Sequence, residues 1–368
     1  MAVASVLIVP RAAGLIEMNE GRDKITVNAD YGIYYDSNLF ARSGGGGDMN
    51  QSLSLGANYT RRAGMIGFSS TASVTATRFR KFSNEDFTNP ALILEFTKND
   101  GRLTGSLALS GKRESRSDDA ANLFASSWRY GAMLGLRYPV NDRYYLTSST
   151  AASMRDYAPN TPLYNLGSFS EGVDLYYVYS SKLDVLGGYR IRFGHAAGGH
   201  GTRDIALTLG GTGAILPKLT TTVRAGYQTR DESGVDGGHY HELTTEFALA
   251  WPMNKRTTFN FQALRDFMTS ATDISVDTTA FDLSGTIKPN LRVKIAFTGE
   301  AGYTISRYLG VRGAGREDRT WSFTAHLSVP IKTHWAIALS YGFYTNDSSS
   351  AFSKYQRQTA SLDVSVHY

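Results

Sequence analysis

The chain contains no cysteine, which removes disulfide frameworks, thiol nucleophiles and cysteine-based zinc sites together. It also lacks any run of about eighteen apolar residues, so the sequence offers no helix able to cross a membrane. Hydrophobic residues make up 42% of the 368 positions, too few for a helical membrane protein. Charge of one sign is scarce as well: the formal net charge is +5, and Lys and Arg are spread along the chain instead of forming the patch that nucleic-acid binding requires. Two classes remain, a soluble protein or a membrane protein that crosses with strands.

What the chain does have is alternation. From Lys24 onward the pattern has a period of two, with no sustained helical spacing. Leu183, Val185, Gly187, Tyr189, Ile191 and Phe193 alternate with a row containing Asp184, Arg190 and Arg192; Trp321, Phe323, Ala325 and Leu327 alternate with Ser322, Thr324 and His326. Leu291, Val293, Ile295 and Phe297 read the same way. The segments are about ten to fourteen residues long, against five or six in soluble proteins, and that length with a tilt spans a bilayer. About eighteen such segments follow one another, from one starting near Lys24, through starts near Trp128 and Leu291, to one starting near Gln358.

Tight turns such as Asn99-Asp100-Gly101, Val140-Asn141-Asp142 and Met253-Asn254-Lys255 alternate with polar loops of roughly eight to sixteen residues. Pro139, Pro217, Pro252, Pro289 and Pro330 stand at strand ends before the tight turns. The expected fold is therefore all-β: one transmembrane antiparallel barrel of about eighteen strands over residues 24–368, with short periplasmic turns and longer extracellular loops. An even strand count puts both termini in the periplasm. Residues 1–23 are set aside as an N-terminal segment and periplasmic lead-in; Ala2 to Val9 is apolar and short, and reads either as the remnant of a secretory signal or as an ordinary start.

A soluble sandwich also alternates, but its inner rows carry mainly Val, Ile and Leu. Here the apolar rows mix in small residues and place Trp251, Trp335, Tyr138, Tyr179, Tyr227 and Tyr341 near strand ends, as interfacial girdles do. Glu171, Arg265 and Asp277 are charges that fall on apolar rows, near loop ends.

The polar rows would line a lumen too wide for side chains to fill. They hold a basic sector of Arg129, Arg137, Arg143, Arg155, Arg190, Arg192, Arg224 and Arg230, and an acidic sector of Asp30, Glu95, Glu242, Glu246, Asp282 and Asp363. Opposed sectors would set a transverse field across a pore; cross-strand pairing would neutralise it, and both outcomes stay open. His195 with His200, and His239 with His241, lie in or beside glycine-rich loops, but no third or fourth ligand accompanies either pair, so no metal site is expected. No nucleophile elbow or cofactor motif occurs, and neither an enzyme nor a cofactor is expected. No connection exceeds roughly sixteen residues, and the Gly44 to Gly47 loop reads as mobile, so the lumen is expected to be wide and unplugged.

The first strand and its loop read Tyr34-Tyr35-Asp36-Ser37-Asn38-Leu39-Phe40. This run resembles the putative β-barrel porin 2 family of Gram-negative bacteria, and the length and single-barrel layout are similar too. The resemblance implies an outer-membrane pore without catalytic residues, and relatives encoded among exopolysaccharide or capsule genes. Asp36 and Asn38 are suited to cap backbone amides in the turn. The chain ends Leu362, Val364, Val366, Tyr368, which resembles the C-terminal strand that the barrel-assembly machinery recognises in outer-membrane proteins. The partners implied are outer-membrane lipid and lipopolysaccharide, that machinery, and periplasmic polysaccharide-export proteins; nucleic acid is not among them. Three readings follow: a polysaccharide-export pore, a general diffusion porin, and a non-conducting structural barrel.

Overall fold

The structure is a computed structural model, and it describes residues 16–19, 22–62, 64–118, 121–159, 161–196, 200–234, 238–272, 275–290, 294–309 and 315–368. Strands begin with β1 (Ile16–Met18), β2 (Asp23–Asp36), β3 (Asp48–Arg61), β4 (Gly67–Phe79), β5 (Phe87–Lys98) and β6 (Thr104–Asp118). They continue through β7 (Leu123–Pro139), β8 (Tyr144–Tyr157), β9 (Leu166–Ser180), β10 (Leu183–Ala196), β11 (His200–Leu216), β12 (Leu219–Ser233) and β13 (His239–Asn254). The last are β14 (Thr257–Met268), β15 (Val276–Ile287), β16 (Ala296–Tyr308), β17 (Glu317–Pro330), β18 (Trp335–Ser348) and β19 (Tyr355–His367).

From β2 to β19 every strand pairs antiparallel with the next, and β19 returns to β2 through Thr359↔Asp36 to His367↔Asn28. Eighteen strands thus close on themselves, while β1 adds a short pairing onto the start of β2. The final residue tightens the seam: Tyr368 and Val27 exchange both backbone hydrogen bonds, at 2.8 and 2.9 Å, and the Tyr368 ring stacks on His334. Closure answers a physical requirement, because a backbone N–H or C=O without a partner in hydrocarbon costs several kcal/mol.

Alternation sorts the side chains. Outward rows are apolar and exposed, as in Leu207 and Leu209 of β11 or Phe169, Val173 and Leu175 of β9. Aromatic residues gather toward the ends, with Tyr138, Tyr179 and Trp335 at the end that carries the termini, and Tyr303 against Trp321 at 4.2 Å in the other half. All three charges expected on outward rows have local partners. Glu171 accepts hydrogen bonds from Ser148 (2.8 Å) and Thr150 (2.5 Å) on the adjacent strand, and Arg265 pairs with Asp277 at 2.9 Å.

The expected strand starts agree to within five residues, the widest gaps being Leu123 for Trp128 and Ala296 for Leu291. Leu291 and Val293, and the reading of Ala2 to Val9 as a signal remnant, lie outside the described residues. The loops differ more. Strands run to seventeen residues, as in β7 and β11, so the far connections are shorter than expected, and the longest joins Asp36 to Asp48. Polar sequence above the bilayer continues the ladder because Arg203 and Asp231, exposed to water, still face each other across β11 and β12 and pair at 2.6 Å.

The orientation of rows gives a direct test. Leu209→Arg, placed mid-strand on the lipid face, lowers stability by about 2–4 kcal/mol, whereas Thr286→Arg on the lumen row of β15 costs under about 1 kcal/mol, both read by reversible denaturation in lipid vesicles. Equal costs at the two positions would invalidate the assignment of faces.

Candidate functional site

The site is the lumen, and its far mouth is shaped by folded connections. In the Tyr34 to Phe40 run, Asp36 accepts the Asn38 backbone N–H at 2.9 Å and takes Arg357 on both carboxylate oxygens. Asn38 donates from Nδ2 to the carbonyl of Arg42 at 2.8 Å and to that of Gln356 at 3.2 Å. This is the turn-capping role that an Asp and an Asn two apart can play. The turn drives the following residues inward: Leu39 and Ala41 are buried, their carbonyls accepting from Ser117 Oγ and Asn122 Nδ2 on the β6–β7 side, both at 2.6 Å. Ser353, in the β18–β19 connection, donates to the other side of Asn122 at 2.6 Å.

Gly45 to Gly47 are therefore packed, which corrects the expectation of a mobile loop, while Gly44 stands in open space with φ +68°. A Cβ at Gly46 would lie 2.8 Å from the Phe82 ring, and one at Gly47 would lie 2.9 Å from the Asp36 carbonyl. Phe82 in turn packs edge-on against Phe40 at 5.1 Å. Glycine occupies these positions because the backbone runs against its neighbours.

A second element narrows the lumen. The ladder between β13 and β14 stops at Thr245↔Arg265, although β13 stays paired to β12 up to His239 and β14 to β15 up to Met268. Above that point β14 leans inward, toward β10 and β12. Arg192 donates to the Phe267 carbonyl at 2.6 Å and Arg230 to the Met268 carbonyl at 2.7 Å. The following turn crosses to the opposite wall, where Ala271 joins Ala125, Tyr157 and Leu163 in a buried apolar cluster and its carbonyl accepts the Tyr164 N–H. The expected wide and unobstructed lumen is thus not observed: among the described residues no long loop narrows it, but a bent strand tip and short interlocked connections do.

The arginines of the expected basic sector divide. Arg190 meets Asp266 at 2.8 Å; Arg192 meets Asp204 at 2.6 Å and Asp266 at 3.2 Å; Arg230 meets Asp204 at 2.6 Å. Arg224 pairs with Asp174 at 2.9 Å and lies 3.8 Å from Glu246, and Arg155 lies 3.4 Å from Glu114. Arg137 rests on the Tyr145 ring at 4.0 Å, Arg129 stands in register with Lys112 and Arg155, and Arg143 sits in the turn between β7 and β8. This wall carries its own counter-charges and is not a bare basic face.

On the acidic side, Asp363 accepts from Tyr34 Oη and Ser361 Oγ, and Asp30 accepts from Asn28 at 3.0 Å. Glu242 belongs with Arg265 at 2.6 Å, while Asp282 faces Gly302 and Gln262, and Glu95 faces Ser69 and Ala108. Sequence reasoning missed Glu114, Asp174, Asp204 and Asp266. For Asp204 the signal was present, since the β10–β11 hairpin puts it opposite Arg192 and the β11–β12 hairpin puts it opposite Arg230. Asp266 carried no such signal, because it meets arginines four strands away.

Beneath the mouth lies a cavity of about 1070 Å³ whose lining includes Ser52, Thr77, Ser284, Thr286, Thr298, Thr320, Ser340 and Thr359, together with Tyr34, Tyr344 and Tyr355. Its charged lining includes Asp30, Asp363, Glu300 and Arg155. Hydroxyls bond in cross-strand pairs, Ser52 with Thr77 at 3.1 Å and Thr286 with Thr298 at 3.2 Å, and each oxygen retains further hydrogen-bonding capacity. The histidines are dispersed: His239 bonds Asp231 at 2.7 Å, His241 stacks on Tyr227, and His200 lies beside Tyr164. Among the described residues no three metal-ligating side chains converge.

Residues 201–368 match the model of the family described as Putative beta-barrel porin 2; the match does not extend to the Tyr34–Phe40 run. No curated protein matches the chain. Among solved structures, Acinetobacter baumannii OccAB3 aligns with a TM-score of 0.50 at 9% identity, covering 94% of this chain and 99% of that one. Pseudomonas aeruginosa OccK2 (OpdF), in complex with glucuronate, aligns with a TM-score of 0.50 at 11% identity, covering 94% and 97%. At these identities the likeness is one of fold. The chain folds as a closed β-barrel, and residues 201–368 match the model of a barrel porin family.

The pairing of Arg192 and Arg230 on Asp204 predicts a steep mutational cost. Asp204→Asn takes the shared carboxylate from the buried Arg230, leaves Arg192 with Asp266 as its remaining carboxylate, and lowers stability by about 3–5 kcal/mol. Asp347→Asn, which removes the exposed partner of Lys354, changes it by under about 1 kcal/mol. Urea titration of the refolded barrel in vesicles measures both; comparable losses would refute the buried clamp.

Proposed function

We propose that the chain is a pore that passes a glycan, of the exopolysaccharide class, across the outer membrane. The observation that carries this reading is the hydroxyl-walled cavity. Serine, threonine and tyrosine side chains offer both donors and acceptors, which matches a polyhydroxylated solute, and tyrosine rings give its apolar faces something to lie against. The glucuronate held by OccK2 is a sugar acid, but at 11% identity that barrel supports the fold only, and the glycan reading rests on the cavity itself.

In this reading the end carrying the termini is periplasmic, and the Ser37–Gly47 connection and the β14 tip face the cell exterior. The C-terminal strand ending at Tyr368 is offered to the assembly machinery, lipid and lipopolysaccharide surround the apolar rows, and periplasmic polysaccharide-export proteins would dock at the periplasmic rim. No catalytic role is proposed. The inward-leaning tip and the packed connections favour a second reading, a narrow porin for small hydrophilic solutes.

Single-channel recording of the refolded barrel in a planar bilayer separates the two. A glycan pore shows openings blocked by oligosaccharides of one class at micromolar to millimolar concentration, with block weakened at least tenfold by Tyr34→Ala combined with Tyr344→Ala. Small steady openings indifferent to every oligosaccharide support the narrow porin, and a barrel that never conducts defeats both.

A further inference from the structure

The upper part of β14 has two possible sets of partners. Its present set is inside the lumen: the Phe267 and Met268 carbonyls are held by Arg192 and Arg230, and the Asp266 carboxylate bridges Arg190 and Arg192. The alternative set is the neighbouring edge of β13, where the β14 ladder ends at Thr245↔Arg265. Continuing that register would put Asp266 opposite Thr244, Phe267 opposite Leu243 and Met268 opposite Glu242.

The sequence is written for the second arrangement as well as the first. Phe259, Phe261, Ala263, Arg265 and Phe267 form one alternating row, so a zipped β14 would carry Phe267 out beside Leu243, which is 59% exposed on the outer face. In the present arrangement Phe267 is completely buried under Tyr240 and Arg230. At the branch point Thr244 Oγ1 donates to the Arg265 carbonyl at 3.1 Å, a side chain standing where a ladder bond would be. Of the two carbonyls, that of Phe267 lies on the β13 side of the strand, as that of Arg265 does, so the two packings exchange its partner; they form a bistable element, and intermediate positions leave it unbonded.

We infer that the β14 tip, residues 266–272, is a gate. Docked on Arg190, Arg192 and Arg230 it crosses the lumen and seals against Leu163 by way of Ala271; zipped onto β13 it completes the barrel wall and clears the passage. This rests on the pore reading only for its effect on transport; the exchange of partners stands or falls separately. A polymer would need the zipped state, which reconciles a glycan pore with a narrowed mouth.

The absence of cysteine makes the test clean. The pair Leu163→Cys with Ala271→Cys should form a disulfide that locks the gate shut and cuts conductance at least tenfold, restored by reductant. The pair Leu243→Cys with Phe267→Cys should also oxidise in the native barrel and hold it in its high-conductance level. Disulfide formation is read by gel mobility and mass, independently of current, and heat-modifiable mobility confirms folding. Asp266→Asn, which needs no cross-link, should raise the fraction of time spent in the open level several-fold.

Failure of either disulfide to form in a folded barrel, or a Leu163–Ala271 cross-link that leaves the conductance unchanged, overturns the gate. Both disulfides forming in a barrel that passes no current in any state would uphold the exchange of partners and reject the pore.

Discussion

Closure of the hydrogen-bond ladder governs the rest of this structure. In lipid each backbone amide must find a partner within the protein, and a chain without membrane-spanning helices satisfies that only by returning its last strand to its first. The seam between β19 and β2, finished by Tyr368 and Val27, lets the remaining strands alternate freely between lipid and lumen. Every later feature inherits the period of two. Lumen hydroxyls, lumen ion pairs and outward leucines are successive residues of the same strands.

Within the lumen, electrostatics are settled by geometry more than by composition. Eighteen strands spread their charges over a large inner surface, and where register brings opposite charges together they pair. The wall from β8 to β14 holds arginines and aspartates in contact, with Arg230 and Asp204 almost fully removed from solvent. The wall from β15 round to β4 is mostly hydroxyl. The contrast between the walls is thus one of a rigid, internally compensated surface against a softer hydrogen-bonding one.

Much of this was legible in the sequence for a simple reason: strand alternation is local. Lys24 to Tyr368 announces its strands because every second residue must suit lipid, and the turn chemistry of Asp36 and Asn38 follows from side chains two residues apart. What the sequence hid depends on distance. Nothing near Gly44–Gly47 says that Phe82 and Asn122 lie against that connection, so Gly45 to Gly47, read as mobile, are in fact packed. Nothing near Asp266 says that its carboxylate reaches Arg190, because β14 departs from its own ladder to get there. Tertiary contacts between far-side connections, and a strand that leaves its neighbour, leave no periodic trace.

The buried arginine clamp also fixes an order of assembly. Arg192 and Asp204 are twelve positions apart and Arg230 and Asp204 twenty-six, whereas Arg190 and Asp266 are separated by seventy-six. Closing a short loop costs less entropy than closing a long one, so contacts between adjacent hairpins are accessible before those that span several strands. Asp204 therefore gathers its two arginines while β10, β11 and β12 come together, and the socket exists before the tip of β14 arrives to fill it. The lumen is built around a preformed receptor for its own obstruction.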